Sequence, residues 1–157
     1  MHIKIAYMLS EKKREENEIF MIVNHYNKVK EMKKFFDNEK LFEIAKLNIL
    51  AGKKAKAGAA YDIAIEYFKN AKKLIENESY WLKEHATMIE LNTNICETAY
   101  LTSDYKEMQK AFDLIEEKGI KIQEKLAAYE IIIQYNVAAN KPAIAVNIAI
   151  EVLEQLN

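Results

Sequence analysis

The chain has 157 residues, of which half are hydrophobic and 30% charged, with 23 basic residues against 24 acidic ones. This is enough to bury one domain-sized core and is not the composition of a disordered tail. No apolar run approaches the roughly 18 residues that span a bilayer, and a net charge of −1 gives no electrostatic reason to expect nucleic acid or an anionic membrane. The single Cys96 leaves no internal disulfide framework. The opening MHIKIAYMLSEKK is broken by Lys4 and lacks a small-residue cleavage site, so no secretory signal is expected and the cytoplasm is the default location.

Three glycines and one proline are far too little punctuation for a sheet, which needs turn residues every 8–12 positions. The prediction is all helix. Ile3, Ile5, Ala6, Met8 and Leu9 read as the apolar face of a short first helix, followed by the polar SEKKREENE. Ile19, Phe20, Ile22, Val23, Tyr26 and Val29 make the next stripe, predicting about four turns. Asp37 or Asn38 caps a third helix with Leu41, Ile44, Ala45 and Leu47 inside. Gly52 does not end it. The stretch LAGKKAKAGAA gathers small residues where two helices would approach closely, and the pattern resumes through Tyr61, Ile65, Phe68 and Ile75.

ENES at 76–79 is read as a turn with Ser79 as N-cap of one long helix carrying Leu82, Met88, Leu91, Ile95 and Tyr100. Ser103 or Asp104 caps the helix from Tyr105 to about Glu117, and Gly119 stops it. Ile122 to Ala139 follows, with Leu126, Tyr129, Ile132, Ile133 and Val137 as its stripe. Asn140-Lys141-Pro142 turns into a closing helix over 143–156.

One pattern recurs three times. Ala64, Phe68 and Ala71, then Met108, Phe112 and Ile115, then Ala145, Ala149 and Val152 follow a short turn at i, i+4 and i+7. Met108 lies 44 residues after Ala64, and Ala145 lies 37 after Met108. A strict tetratricopeptide array repeats every 34 residues, so these are longer, irregular hairpins. The expected fold is an all-α, TPR-like right-handed superhelix of antiparallel helix pairs, about eight helices in one domain spanning 1–157.

NEIFMIVNHYN, LFEIAKLNILAGKKAKAGAAYDIAIEYFKNAKKLI and ETAYLTSDYKEM resemble the helical-repeat segment of large bacterial signalling proteins that carry an AAA-type ATPase module. In that family the ATPase module often follows a serine/threonine kinase domain and precedes sensor modules, among them histidine kinases. LNILAGKKAKAGAAYDIA is the most recognisable part of the resemblance, which covers about residues 18–155. The family's catalytic motifs lie outside this segment. The chain has no phosphate loop ending in Gly-Lys-Ser/Thr and no kinase catalytic loop. The resemblance therefore implies a non-enzymatic connecting segment, a fragment of a multidomain protein, whose partners are neighbouring domains, another protein or a second copy.

Few residues invite chemistry. His2, His25, His85 and Cys96 lie in four elements without metal-ligand spacing, so no metal or cofactor is expected. Cys96, on an apolar stripe, reads as a buried inert thiol. Lys53, Lys54 and Lys56 could meet an anion at a helix N-terminus, but read first as a solvated face, as does Lys28-Lys30-Lys33-Lys34. Glu84 with His85, or Glu97 with Asp104, are the nearest acid–base pairs, and no enzyme is expected from them. Tyrosines are numerous. Tyr61, Tyr100, Tyr129 and Tyr135 are the candidates for a concave partner groove, which would favour a peptide- or ligand-binding regulator. Asparagine is a poor mid-helix residue that must be solvated or bonded between helices, and Asn24 and Asn48 are the candidate inter-helix clamps.

Overall fold

The computed structural model describes residues 18–156, so the helix expected around Ile3–Leu9 and the residue His2 lie outside the described part. Among the described residues there are eight α-helices, one 3₁₀ turn and no strand. The chain divides into two compact units with the boundary between Asn77 and Glu78, inside the turn expected at 76–79.

The first unit holds α1 (Glu18–Asn27), the 3₁₀ turn Met32–Lys34, α2 (Asn38–Ala57) and α3 (Tyr61–Ile75). α1 ends at Asn27, two residues before the end of its stripe at Val29. The backbone turns after Asn27, with Val29 N–H donating to the Tyr26 carbonyl, and Glu31 adopts φ 55°. Asp37 caps α2, its carboxylate accepting from the Lys40 backbone N–H at 2.8 Å. Gly52 sits fully inside α2, where Phe68 of α3 lies against it. A Cβ there would fall 2.5–2.8 Å from the Phe68 ring, so only glycine permits this approach. The core of the unit is Ile22, Val23, Tyr26, Ile44, Ala45, Ala64, Phe68, Ala71 and Ile75, all fully buried.

The second unit holds α4 (Glu78–Lys83), α5 (His85–Leu101), α6 (Tyr105–Lys118), α7 (Ile122–Ala138) and α8 (Pro142–Leu156). The long helix expected from Ser79 is two helices, broken at Glu84 (φ −128°, ψ 38°). Ser79 lies in the first turn of α4 rather than at its cap, and Leu82 is 86% exposed rather than part of an apolar face. Asp104 caps α6 by accepting from Glu107 N–H at 3.2 Å. Ile89, Ile115 and Ala128 form a core cluster, with Trp81 and Phe112 packed against it.

Three helix pairs, α2–α3, α5–α6 and α7–α8, share one corner. Ala59, Ser103 and Asn140 each take the left-handed backbone, at φ 58°, 60° and 57°. After each, the next N–H reaches five residues back: Ala60 to the Ala55 carbonyl, Asp104 to Ala99, Lys141 to Asn136. The left-handed residue itself donates three back, to Lys56, Tyr100 and Val137. This is the Schellman end of a helix built three times. The three corners fall 44 and 37 residues apart, the spacing read from the apolar stripes. The stripe residues close the pairs: Ala64, Phe68, Ala71, Met108, Ile115, Ala145 and Val152 are buried, Phe112 and Ala149 half-buried.

Candidate functional site

Two neighbouring cavities open on the first unit. One, of about 500 Å³, is lined by Asn27, Val29, Met32, Lys33, Asn70 and Lys73 among others. The second, of about 450 Å³, is lined by Asn24, Asn27, Lys28, Ile63, Tyr67 and Asn70 with Asp62 and Glu66. They share Asn27 and Asn70, so they form one groove with α1 and its following turn on one wall and α3 on the other.

Helical spacing builds the α3 wall. Ile63, Tyr67, Asn70 and Leu74 follow one another by four, three and four residues and therefore share a face. Asn24 and Asn27 do the same on α1, and Lys28 follows directly after its last residue. The walls are held apart and in register by polar bridges. The Tyr67 hydroxyl donates to Asn24 Oδ1 at 2.9 Å, and burial pushes that hydroxyl's pKa up. Beneath, Asn27 and Asn48 exchange amide hydrogen bonds at 2.8 and 3.1 Å, while Asn48 Nδ2 also donates to the Ile44 carbonyl. Thus Asn24 links α1 to α3, and Asn48 links α1 to α2. The half-buried Asn70 faces the groove between them.

Charge is distributed unevenly along the groove. One end carries Lys33, Lys34 and Lys73 against a single Glu31, which pairs with Lys34 at 2.7 Å. The other end carries Asp62 and Glu66 against Lys28. Lys28, Lys30, Lys33 and Lys34 are all exposed, as expected of a solvated face, and the turn after α1 also sets Lys33 and Lys34 at a cavity mouth. Sequence gave no sign of this because the turn at Val29 has neither glycine nor proline.

The tyrosines are placed differently. Tyr129 is buried, its hydroxyl donates to Glu116 Oε1 at 2.8 Å, and its ring meets Phe112 edge-on at 5.5 Å. Burial and that carboxylate raise its pKa to about 12. Tyr135 meets Tyr105 with the ring centroids 4.9 Å apart and the planes tilted by 49°. Six residues apart on one helix, Tyr129 and Tyr135 point to different faces, so no shared groove forms from them. Tyr61 and Tyr100 are half-buried near helix ends, and none of the four lines either cavity of the groove.

Among the described residues no cluster of His, Cys, Asp and Glu could hold a metal. His85 Nε2 lies 3.2 Å from Glu124 Oε2. Glu124 also accepts the Ile120 and Lys121 backbone N–H groups at 2.8 and 3.3 Å, and these bonds lower its pKa. The pair ties α5 to the start of α7. Cys96 is buried and its thiol is pushed up to about 12, chiefly by desolvation. Lys54 and Lys56 stand in the last turn of α2, where cations suit the helix dipole, and not at a helix N-terminus that could hold an anion. No described helix is long and apolar enough to cross a membrane.

Comparison with protein-family models, curated proteins and solved structures finds no match for the chain.

Proposed function

We propose that the chain is a non-enzymatic helical scaffold whose first unit holds an extended peptide segment in the groove between α1 and α3. The observation that carries this reading is the pair of cavities joined at Asn27 and Asn70. An amide side chain offers a donor and an acceptor together, which is what an extended backbone needs from a wall it runs along. From Ile63 to Leu74 the α3 wall is about 16 Å long, the reach of about five extended residues. Ile63, Val29, Met32 and Leu74 supply apolar contacts. The lysine end suits an acidic side chain or a terminal carboxylate, and the Asp62–Glu66 end suits the opposite charge.

The resemblance to signalling-ATPase helical segments fits the same reading, with the peptide supplied by a neighbouring module or a separate protein. Peptides of about eight residues, with acidic or basic C-terminal halves, are the direct probe in fluorescence polarisation. Acidic C-terminal halves are expected to bind, with Asn70→Ala weakening them about tenfold, roughly 1.4 kcal/mol. Lys73→Glu is expected to reverse the charge preference. Equal binding of both peptide sets, or indifference to Asn70→Ala, would sink the proposal.

A further inference from the structure

The three second helices of the pairs, α3, α6 and α8, can be aligned through their common corner. Val146, Ile150 and Leu153 of α8 then match Gln109, Asp113 and Glu116 of α6, each 37 residues earlier. The α6 residues are polar and satisfied: Gln109 donates to Asp113 at 2.7 Å, and Glu116 accepts from Tyr129. Their α8 counterparts are apolar and exposed, at 56%, 48% and 60%. They lie four and three residues apart, and so form one stripe, on the side of α8 away from the buried Ala145 and Val152. Exposed Pro142, Ala143 and Leu156 border it.

We infer that this face of α8 is a homodimer interface in which two copies pair their α8 helices antiparallel. Two observations select a second copy as the occupant. The first is area. The stripe and its border expose about 500 Å² of apolar surface, in the range of the largest patch on a typical monomer, which is often functional. Two such faces bury about 1,000 Å², the lower bound for a specific complex.

The second is charge. α8 has no acidic residue in its first turn and no basic residue in its last, so its dipole is uncompensated at both ends. Glu154 borders the stripe near the C-terminal end, and Asn147 lies on the same flank about two turns earlier. A two-fold axis across the middle of α8 places Glu154 of each copy by the partner helix's N-terminal half, at the positive end of its dipole and near Asn147. A parallel pair would instead bring like charges together. The contact is isologous and closes at two copies.

The inference is independent of the groove in the first unit and is tested on the whole chain. Sedimentation velocity from about 1 to about 500 µM should show a reversible dimer of micromolar affinity. Leu153→Glu and Ile150→Glu, both at exposed positions, should leave the helical circular dichroism unchanged and abolish the dimer. Asn147→Lys should tighten it several-fold by meeting the partner's Glu154, and Glu154→Lys should loosen it. A chain monomeric throughout that range, which would assign the face to a different protein, overturns the inference. So does a dimer indifferent to Leu153→Glu, or one that Asn147→Lys weakens.

Discussion

The α2–α3 and α5–α6 pairs are built on one 44-residue template and pack it in two ways. Gly52 of the first corresponds to Cys96 of the second, and Phe68 to Phe112. With no side chain on Gly52, the Phe68 ring lies directly on the α2 backbone and is fully buried. With Cys96 in that place, its Sγ instead reaches the Met108 carbonyl at 3.6 Å, and Phe112 is half-buried against Tyr129 of α7. One aromatic position thus serves only the inside of its own pair in the first case, and in the second packs on its own pair and the next helix together. A repeat fixes which residues are apolar; the small residue facing them decides what they pack against.

The largest test of that contrast is Gly52→Ala. Alanine is the better helix former by about 1 kcal/mol, yet its Cβ would overlap the Phe68 ring. Overpacking of this kind costs about 1–3 kcal/mol and exceeds the propensity gain when the ring has no room to move. The expected result is a net loss of about 1–2 kcal/mol in urea unfolding, recovered in part by Gly52→Ala with Phe68→Leu. Cys96→Ala, at the matching position of the second pair, removes one sulfur from a contact that no ring depends on and is expected to cost about 1 kcal/mol or less. Equal losses at the two sites would show that the pairs pack alike.

Asn48 and Asn92 sharpen the same contrast at smaller amplitude. They are also 44 residues apart, both are fully buried, and both donate to the carbonyl four residues back. Asn48 adds a reciprocal amide pair with Asn27, whereas Asn92 Oδ1 is buried with no hydrogen-bond partner. Asn48→Leu strands the Asn27 amide, so a loss of about 1–2 kcal/mol is expected. Asn92→Leu discards an unsatisfied oxygen and is expected to be neutral or to stabilise by up to about 1 kcal/mol. Thermal unfolding of the two variants checks the sign directly.

These sites also show what a sequence can and cannot tell. Residue class and spacing located the corners at Ser103 and Asn140, narrowed the caps to Asp37 or Asn38 and to Ser103 or Asp104, and marked the close approach of small residues around Gly52. The all-helical fold followed from the near absence of glycine and proline. The break at Glu84 was invisible because no residue there is a breaker; its backbone is set by tertiary packing. Asparagine flagged Asn24 and Asn48, since a mid-helix amide needs a partner, but the residues opposite them, Tyr67 and Asn27, depend on helix rotation. Four buried asparagines, Asn48, Asn92, Asn94 and Asn136, also use a local solution that the expectation of solvent or a neighbouring helix left out: each donates to the carbonyl of residue i−4. The groove was missed for a different reason. It arises where α1 ends early, and helix ends without punctuation leave little trace in periodicity.

The smallest effect concerns the corner the pairs share. Ala59, Ser103 and Asn140 occupy one backbone conformation with three different side chains. A left-handed residue bearing a Cβ is strained, and asparagine tolerates the position better than alanine or serine. Glycine relieves the strain and gives back part of that gain by loosening the unfolded chain. The nearby Gly58 does not help, because it stands one residue early, at φ −85°, where any residue fits. The expected gains therefore descend in order: about 0.5–1 kcal/mol for Ala59→Gly, somewhat less for Ser103→Gly and close to zero for Asn140→Gly. Because the hydrogen bonds at the three corners are the same, any other ranking would mean that the side chain at the corner, and not its backbone angle, distinguishes one pair from the next.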